Sequence, residues 1–120
     1  MSGQRSAKSV IEDHWRLGRE GTAEEDLQRN FSTDLVILTR DGVHRGHAGI
    51  LRLAERLRGE VPNMRIEYTT KLIEGEVGFL EWTAMGDGAR IEDGADSYVV
   101  RDGRIAVQTI HYTVVKDQES

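Results

Sequence analysis

Ala95-Asp96-Ser97-Tyr98-Val99-Val100-Arg101-Asp102-Gly103-Arg104-Ile105-Ala106-Val107-Gln108 reads as two β-strands joined at Asp102-Gly103. An Asp-Gly pair between alternating apolar residues is a strong short-range hairpin signal, because both turn positions need a positive φ. Asp96 sits inside the first strand rather than at its end. A carboxylate is a poor strand former, and burying one without partners is costly. Asp96 therefore lies either on a wet face or in a polar pocket that uses its acidity. The turn leaves two registers open. A two-residue type I′ turn puts Asp96 opposite Thr109, on a face with Val107 and His111. A three-residue loop with a glycine bulge puts it opposite Gln108, on a face with Ile110 and Tyr112.

Around this hairpin, the order of elements fixes a fold class. Residues 7–19 read as a helix, with Val10, Ile11, His14 and Leu17 on one face and Trp15 beside it. Thr22-Ala23-Glu24-Glu25 is a capping box that opens a second helix through about Asn30. Leu35-Val36-Ile37-Leu38-Thr39 is a strand whose continuous apolarity suggests burial on both faces. Asp41-Gly42 turns it into a short return strand over Val43-His44-Arg45-Gly46. A third helix runs from about His47 to Arg58, with Gly59 as its stop. Strands follow over 64–73 and 77–84, and the closing hairpin spans about 91–115. In the strand over 77–84, Gly78, Leu80, Trp82 and Ala84 share one face. The residues from Lys116 to Ser120 form a polar, frayed tail. Helices early and strands late give an α+β fold with a mainly antiparallel sheet. A strongly curved sheet of this kind, closed on one side by an N-terminal helix group, makes a concave pocket.

Composition narrows the function. A chain of 120 residues suits a single domain over residues 1–120. Sixteen Lys and Arg against 21 Asp and Glu give a formal net charge of −5, which argues against nucleic acid and an anionic membrane surface as partners. With no cysteine, disulfides, thiol catalysis and Cys-ligated zinc are excluded. No apolar run approaches the roughly 18 residues of a membrane span, and the first residues lack a signal-peptide apolar region. A cytoplasmic location is the default expectation. Asp41, His44 and His47 are close in sequence, but they lie on a loop with no fixed helical spacing, so no metal is expected. No phosphate loop or nucleophile elbow is present.

The words Asp41-Gly42-Val43-His44-Arg45-Gly46, the strand containing Trp82, and Tyr98-Val99-Val100-Arg101-Asp102-Gly103-Arg104-Ile105 resemble the SnoaL-like branch of the nuclear transport factor 2-like superfamily. The resemblance covers nearly the whole chain. It implies the cone fold and a ligand pocket. Function it leaves open, because the superfamily holds isomerases, dehydratases, cyclases, epoxide hydrolases and proteins without catalysis. Set against ketosteroid isomerase, His14 falls at the first-helix tyrosine, Asp96 near the protonated aspartic acid, and Thr39 where the carboxylate base belongs. The missing base at Thr39 speaks against the same proton shuttle.

The resemblance also favours the second register, which brings Gln108 and Tyr112 to the pocket and leaves His111 on the convex face. The expectation is a cofactor-independent enzyme acting by acid–base catalysis on a small apolar, oxygen-bearing organic ligand. Asp96 and His14 are its catalytic candidates. Tyr112, Gln108, Trp82, Tyr98, Thr39 and Ile110 are its substrate-binding candidates. The alternative is a non-catalytic ligand-binding or dimerisation module. A homodimer is expected through the outer face of the strand over 77–84.

Overall fold

The first fourteen-residue helix starts where a serine can accept from the backbone. Ser6 Oγ accepts from the Ser9 N–H at 3.1 Å and opens α1 (Ala7–Glu20). Thr22 does the same for α2 (Ala23–Asn30), accepting from the Glu25 N–H at 3.1 Å. The Glu25 carboxylate does not close the capping box; it lies 3.7 Å from Arg29 instead. Residues 5–117 are described by the computed structural model.

The remaining elements are β1 (Phe31–Thr39), β2 (Gly42–Arg45), α3 (Gly46–Glu60), β3 (Arg65–Glu74), β4 (Val77–Gly86), β5 (Ala89–Arg101), β6 (Arg104–His111) and β7 (Val114–Lys116). They form one mixed sheet in the order β2-β1-β6-β5-β4-β3, with β7 pairing β5. Among the described residues, only β1 and β6 run parallel. This is the α+β class read from the sequence. The concave face of the sheet packs on α1 through Val10, Ile11 and Trp15, against Leu80, Trp82 and Tyr98.

The structure corrects five local readings. β1 is not buried on both faces, because Leu38 is 44% exposed while Leu35 and Ile37 are sealed. α3 runs past Gly59 to Glu60, and Val61 caps it. The closing hairpin breaks after His111, and a separate β7 returns to pair with the start of β5. Lys116 belongs to β7 and the Asp117 N–H donates to the Gly88 carbonyl at 2.9 Å, so the tail is fixed to that point. Residues 118–120 lie outside the described part.

The fifth correction is the hairpin register. The turn is the tight one, with Asp102 at φ 53° and Gly103 at φ 74°, and Arg101 pairs with Arg104. One step on, the pairing jumps from Val100–Ile105 to Val99–Val107, so Ala106 is a bulged residue. Asp96 therefore pairs with Ile110, not with Gln108 or Thr109. The bulge restores the parity of the longer loop. Gln108, Ile110 and Tyr112 reach the concave side as expected, by a different route.

Candidate active site

The cone holds a cavity of about 620 Å³ between the concave sheet face, α1, α2 and α3. Asp96, His14, Tyr98, Trp82, Gln108, Ile110, Tyr112 and Thr39 all line it.

Asp96 sits at the inner end. Trp82 Nε1 donates to its Oδ1 at 3.0 Å. Gln108 Nε2 donates to Oδ2 at 3.1 Å, and the Tyr98 hydroxyl donates to the same oxygen at 3.4 Å. The carboxylate keeps some accessible surface, and it borders the cavity. Burial in this enclosure pushes its pKa up to about 6, although the three donors and the nearby His14 oppose the rise.

Two features of the sheet create this arrangement. Trp82 pairs with Gly94, and a Cβ at Gly94 would stand 2.3 Å from the indole ring. The glycine lets the indole lie flat on β5, with its N–H turned toward Asp96. Tyr98, 1% exposed, accepts from Trp15 Nε1 at 3.3 Å while donating to Asp96. Burial, with the Asp96 charge adding to it, raises the Tyr98 pKa well above the ordinary value, so this phenol remains a neutral donor.

His14 lies on the cavity face of α1, with its ring edge-on to Phe31 and Tyr98 at 5.1 and 5.3 Å between centroids. Its Nδ1 is 2.7 Å from Asp26 Oδ2. A carboxylate only accepts, so His14 donates from Nδ1, and its second nitrogen is left as the acceptor. Asp26 is itself held: Asn30 Nδ2 donates to its other oxygen at 2.8 Å and to Asp13 Oδ2 at 3.0 Å. Arg5 Nη1 donates to the Asn30 carbonyl oxygen at 2.9 Å. Asn30 is fully buried, and every polar atom of its amide is matched. Burial raises the Asp13 pKa, but hydrogen bonds from Arg16 and Asn30 and the charge of Arg29 outweigh it and hold the carboxyl below its ordinary value.

The other end of the cavity carries Tyr112, whose hydroxyl donates to Glu60 Oε1 at 2.6 Å. Burial and this bond raise the Tyr112 pKa. Thr39 borders the cavity, but its hydroxyl accepts from the Asp41 N–H at 3.1 Å and so belongs to the β1–β2 turn. His111 is exposed and sits at the cavity rim. Asp41, His44 and His47 are drawn apart: Asp41 pairs with Arg56 at 2.7 Å, and the His47 ring meets the Phe31 carbonyl at 3.1 Å. His44 packs under Gly49.

Sequence reasoning missed Asp26, Asn30 and Glu60. Asp26 and Asn30 were visible as an i,i+4 polar pair beside Leu27. Three acids in the first turn of α2 are equally well explained by the helix dipole, which hides Asp26 among them. Chemically, the site offers a carboxyl group titrating close to neutrality, a histidine with one nitrogen free for proton transfer, and a neutral tyrosine between them.

No protein of curated function matches the sequence. Among solved structures, the chain is similar to a candidate ketosteroid isomerase from Kribbella flavida, at 15% identity and a TM-score of 0.74, covering 100% of this chain and 87% of that one. A candidate polyketide cyclase from Sinorhizobium meliloti is similar at 18% identity and a TM-score of 0.70, covering 85% and 93%. TerC, crystallised with polyporic acid, is similar at 19% identity and a TM-score of 0.69, covering 89% and 91%. These likenesses carry the fold, which is NTF2-like. The sequence profile of the SnoaL-like domain matches residues 12–108. Four-fifths of the chain, from the middle of α1 to Gln108, thus fits one family, and the protein belongs to the SnoaL-like domain family.

Proposed function

We propose that the protein catalyses proton transfer on a small apolar, oxygen-bearing molecule bound in the cone, with Asp96 and His14 as the acid–base pair. The observation that carries this reading is the His14–Asp26 pair at 2.7 Å beside a cavity-facing carboxyl group with a raised pKa. The first-helix histidine supplies the base that Thr39 does not. Its free nitrogen takes a proton from a C–H or O–H of the substrate. Asp96, in its acid form, returns a proton to the atom that becomes basic, and Trp82, Gln108 and Tyr98 stabilise the carboxylate left behind. No proton is gained or lost overall, as in an isomerisation or an aldol-type cyclisation. A pKa near 6 suits this exchange, because both forms of Asp96 are populated near neutrality. Solved structures of this fold are described as a cyclase and an isomerase, and TerC was crystallised with polyporic acid, which supports a small organic ligand here.

A generic probe tests the chemistry without a known substrate. Deuterium exchange at the acidic carbon of 2-tetralone, followed by proton NMR, is expected to run faster with the protein than with buffer. Asp96→Asn and His14→Gln are each expected to lower the protein-dependent rate by about a hundredfold. Exchange that is unchanged in both variants rules the assignment out.

A second reading concerns assembly. On the convex face, Val43, Leu38, Thr109, Ser97, Phe79 and Leu72 stand opposite one another in a row across six strands. Leu38, Val43 and Leu72 are 44%, 58% and 61% exposed. Exposed apolar residues at both ends of this row, with Thr109 and Ser97 between them, make the kind of surface that pairs with a second copy. The cavity lies on the other side of the sheet, so dimerisation through this face leaves its lining residues free.

A further inference from the structure

The reading of Asp96 as the reacting end says nothing about the far end of the ligand. Resting on that reading, we propose that the ligand is a rigid apolar ring compound with a free hydroxyl at the end remote from Asp96, and that Glu60 recognises this hydroxyl.

The argument starts from one wall of the cavity. Asp96 pairs with Ile110, and Tyr112 follows just past the end of β6, where it too lines the cavity. The Trp82 ring spans this gap: its N–H is on Asp96, and its ring lies 5.8 Å from that of Tyr112. Tyr112 in turn holds Glu60 at 2.6 Å. The wall therefore runs from one polar station to another across aromatic and aliphatic surface. Such a wall suits a flat ring system with a polar group at each end. A cavity of about 620 Å³ has room for two or three fused rings.

The donors at the far end decide which polar group is accepted there. The only proton of the Tyr112 hydroxyl is committed to Glu60, and a carboxylate has none to give. Arg56 is shared between Asp41 at 2.7 Å and Glu60 at 3.6 Å. Arg40 and Arg58 border the cavity as exposed side chains. What Glu60 itself offers a ligand is lone pairs. A hydroxyl finds an acceptor there. Beside Glu60 an ether or a ketone finds no donor short of the exposed Arg40, Arg56 and Arg58, and a carboxylate meets the like charge of Glu60.

Isothermal titration calorimetry with three naphthalenes tests this. The ligands are 2,6-dihydroxynaphthalene, 6-methoxy-2-naphthol and 6-hydroxy-2-naphthoic acid. The wild type is expected to bind the diol about tenfold more tightly than the methyl ether, and more tightly than the carboxylate. The gap between diol and ether is expected to fall below twofold in Glu60→Met and to persist in Tyr112→Phe. Asp96→Asn is expected to weaken diol and ether alike and leave their ratio unchanged. Equal binding of diol and ether by the wild type overturns the proposal, as does a gap that survives Glu60→Met. Tightest binding of the carboxylate overturns it in favour of the rim arginines, and binding of none of the three rejects the ligand class. A gap that depends on Glu60, with no effect of Asp96→Asn, leaves Glu60 as the hydroxyl reader and rejects the reacting end instead. Should Glu60→Met fail to fold, the three wild-type affinities still decide.

Discussion

Asp96 costs the fold stability in return for its chemistry. Its folded pKa of about 6 lies above the value near 3.9 of an unfolded carboxyl, so the folded state holds the proton more tightly. The stability that this gives is fully present below about pH 4, falls as the pH rises toward 6, and is gone above that, by up to about 3 kcal/mol. Asp96→Asn removes the titrating group. The urea midpoint of the variant is expected to exceed that of the wild type at pH 8 and to approach it at pH 4.5. A wild-type midpoint independent of pH over this range contradicts the raised pKa. Asn30 makes the complementary case, as a positioning residue that holds Asp26 and through it the His14 tautomer. Asn30→Leu keeps the volume and strips both carboxylates of a donor. It is expected to cost about 3 kcal/mol. The ¹⁵N shifts of His14 are expected to report a single Nδ1–H tautomer in the wild type and a mixture in the variant. Unchanged shifts in a folded variant would confine Asn30 to packing.

At the scale of elements, the pairing of β4, β5 and β6 builds the site. Trp82 can point its N–H at Asp96 only because Gly94 leaves room for the ring. Gly94→Ala puts a methyl group into the indole and is expected to cost about 1–3 kcal/mol. Tryptophan fluorescence is expected to shift as the indole leaves Asp96, and a spectrum like the wild type would contradict this packing. The β5–β6 hairpin shows how far local reading goes. Asp102-Gly103 marks the place of the turn but not its length, and the tight turn forms. The bulge at Ala106 carries no comparable signal, since any small residue suits it. That bulge sets which face Gln108 and Tyr112 share with Asp96. The alternation of Gly78, Leu80, Trp82 and Ala84 was legible because one face is buried throughout. The breadth of β1 misled, since Val36 and Leu38 are apolar but point outward.

On the scale of the whole molecule, the two sheet faces are divided between tasks. The concave face and the helices enclose the cavity, and the convex face carries the row with exposed Leu38, Val43 and Leu72. A homodimer through this row is expected by light scattering at micromolar concentration, and Leu72→Asp is expected to shift it toward the monomer. A wild-type monomer at that concentration contradicts the assembly reading. α3 joins the two tasks. Its apolar residues Ile50, Leu53 and Leu57 are only partly buried, because they face the cavity rather than a packed core. Its end reaches Tyr112 through Glu60. A filled cavity is therefore expected to stabilise α3, read as a rise in melting temperature with bound 2,6-dihydroxynaphthalene.

The sequence by itself determined the element order as far as His111, the Thr22 cap, the place of the turn at Asp102-Gly103 and the likeness to the SnoaL-like branch. These depend on residues close in the chain or on periodicity along it. It also singled out Asp96 and His14, since a carboxylate in an apolar strand and a histidine on an apolar helix face are locally anomalous. Only the tertiary structure decided what surrounds them. Asp26 meets His14 across the α1–α2 junction, Glu60 meets Tyr112 across the cavity, and one bulged alanine turns Gln108 toward Asp96. Each of these depends on how separate elements close around a common space, which no local pattern encodes.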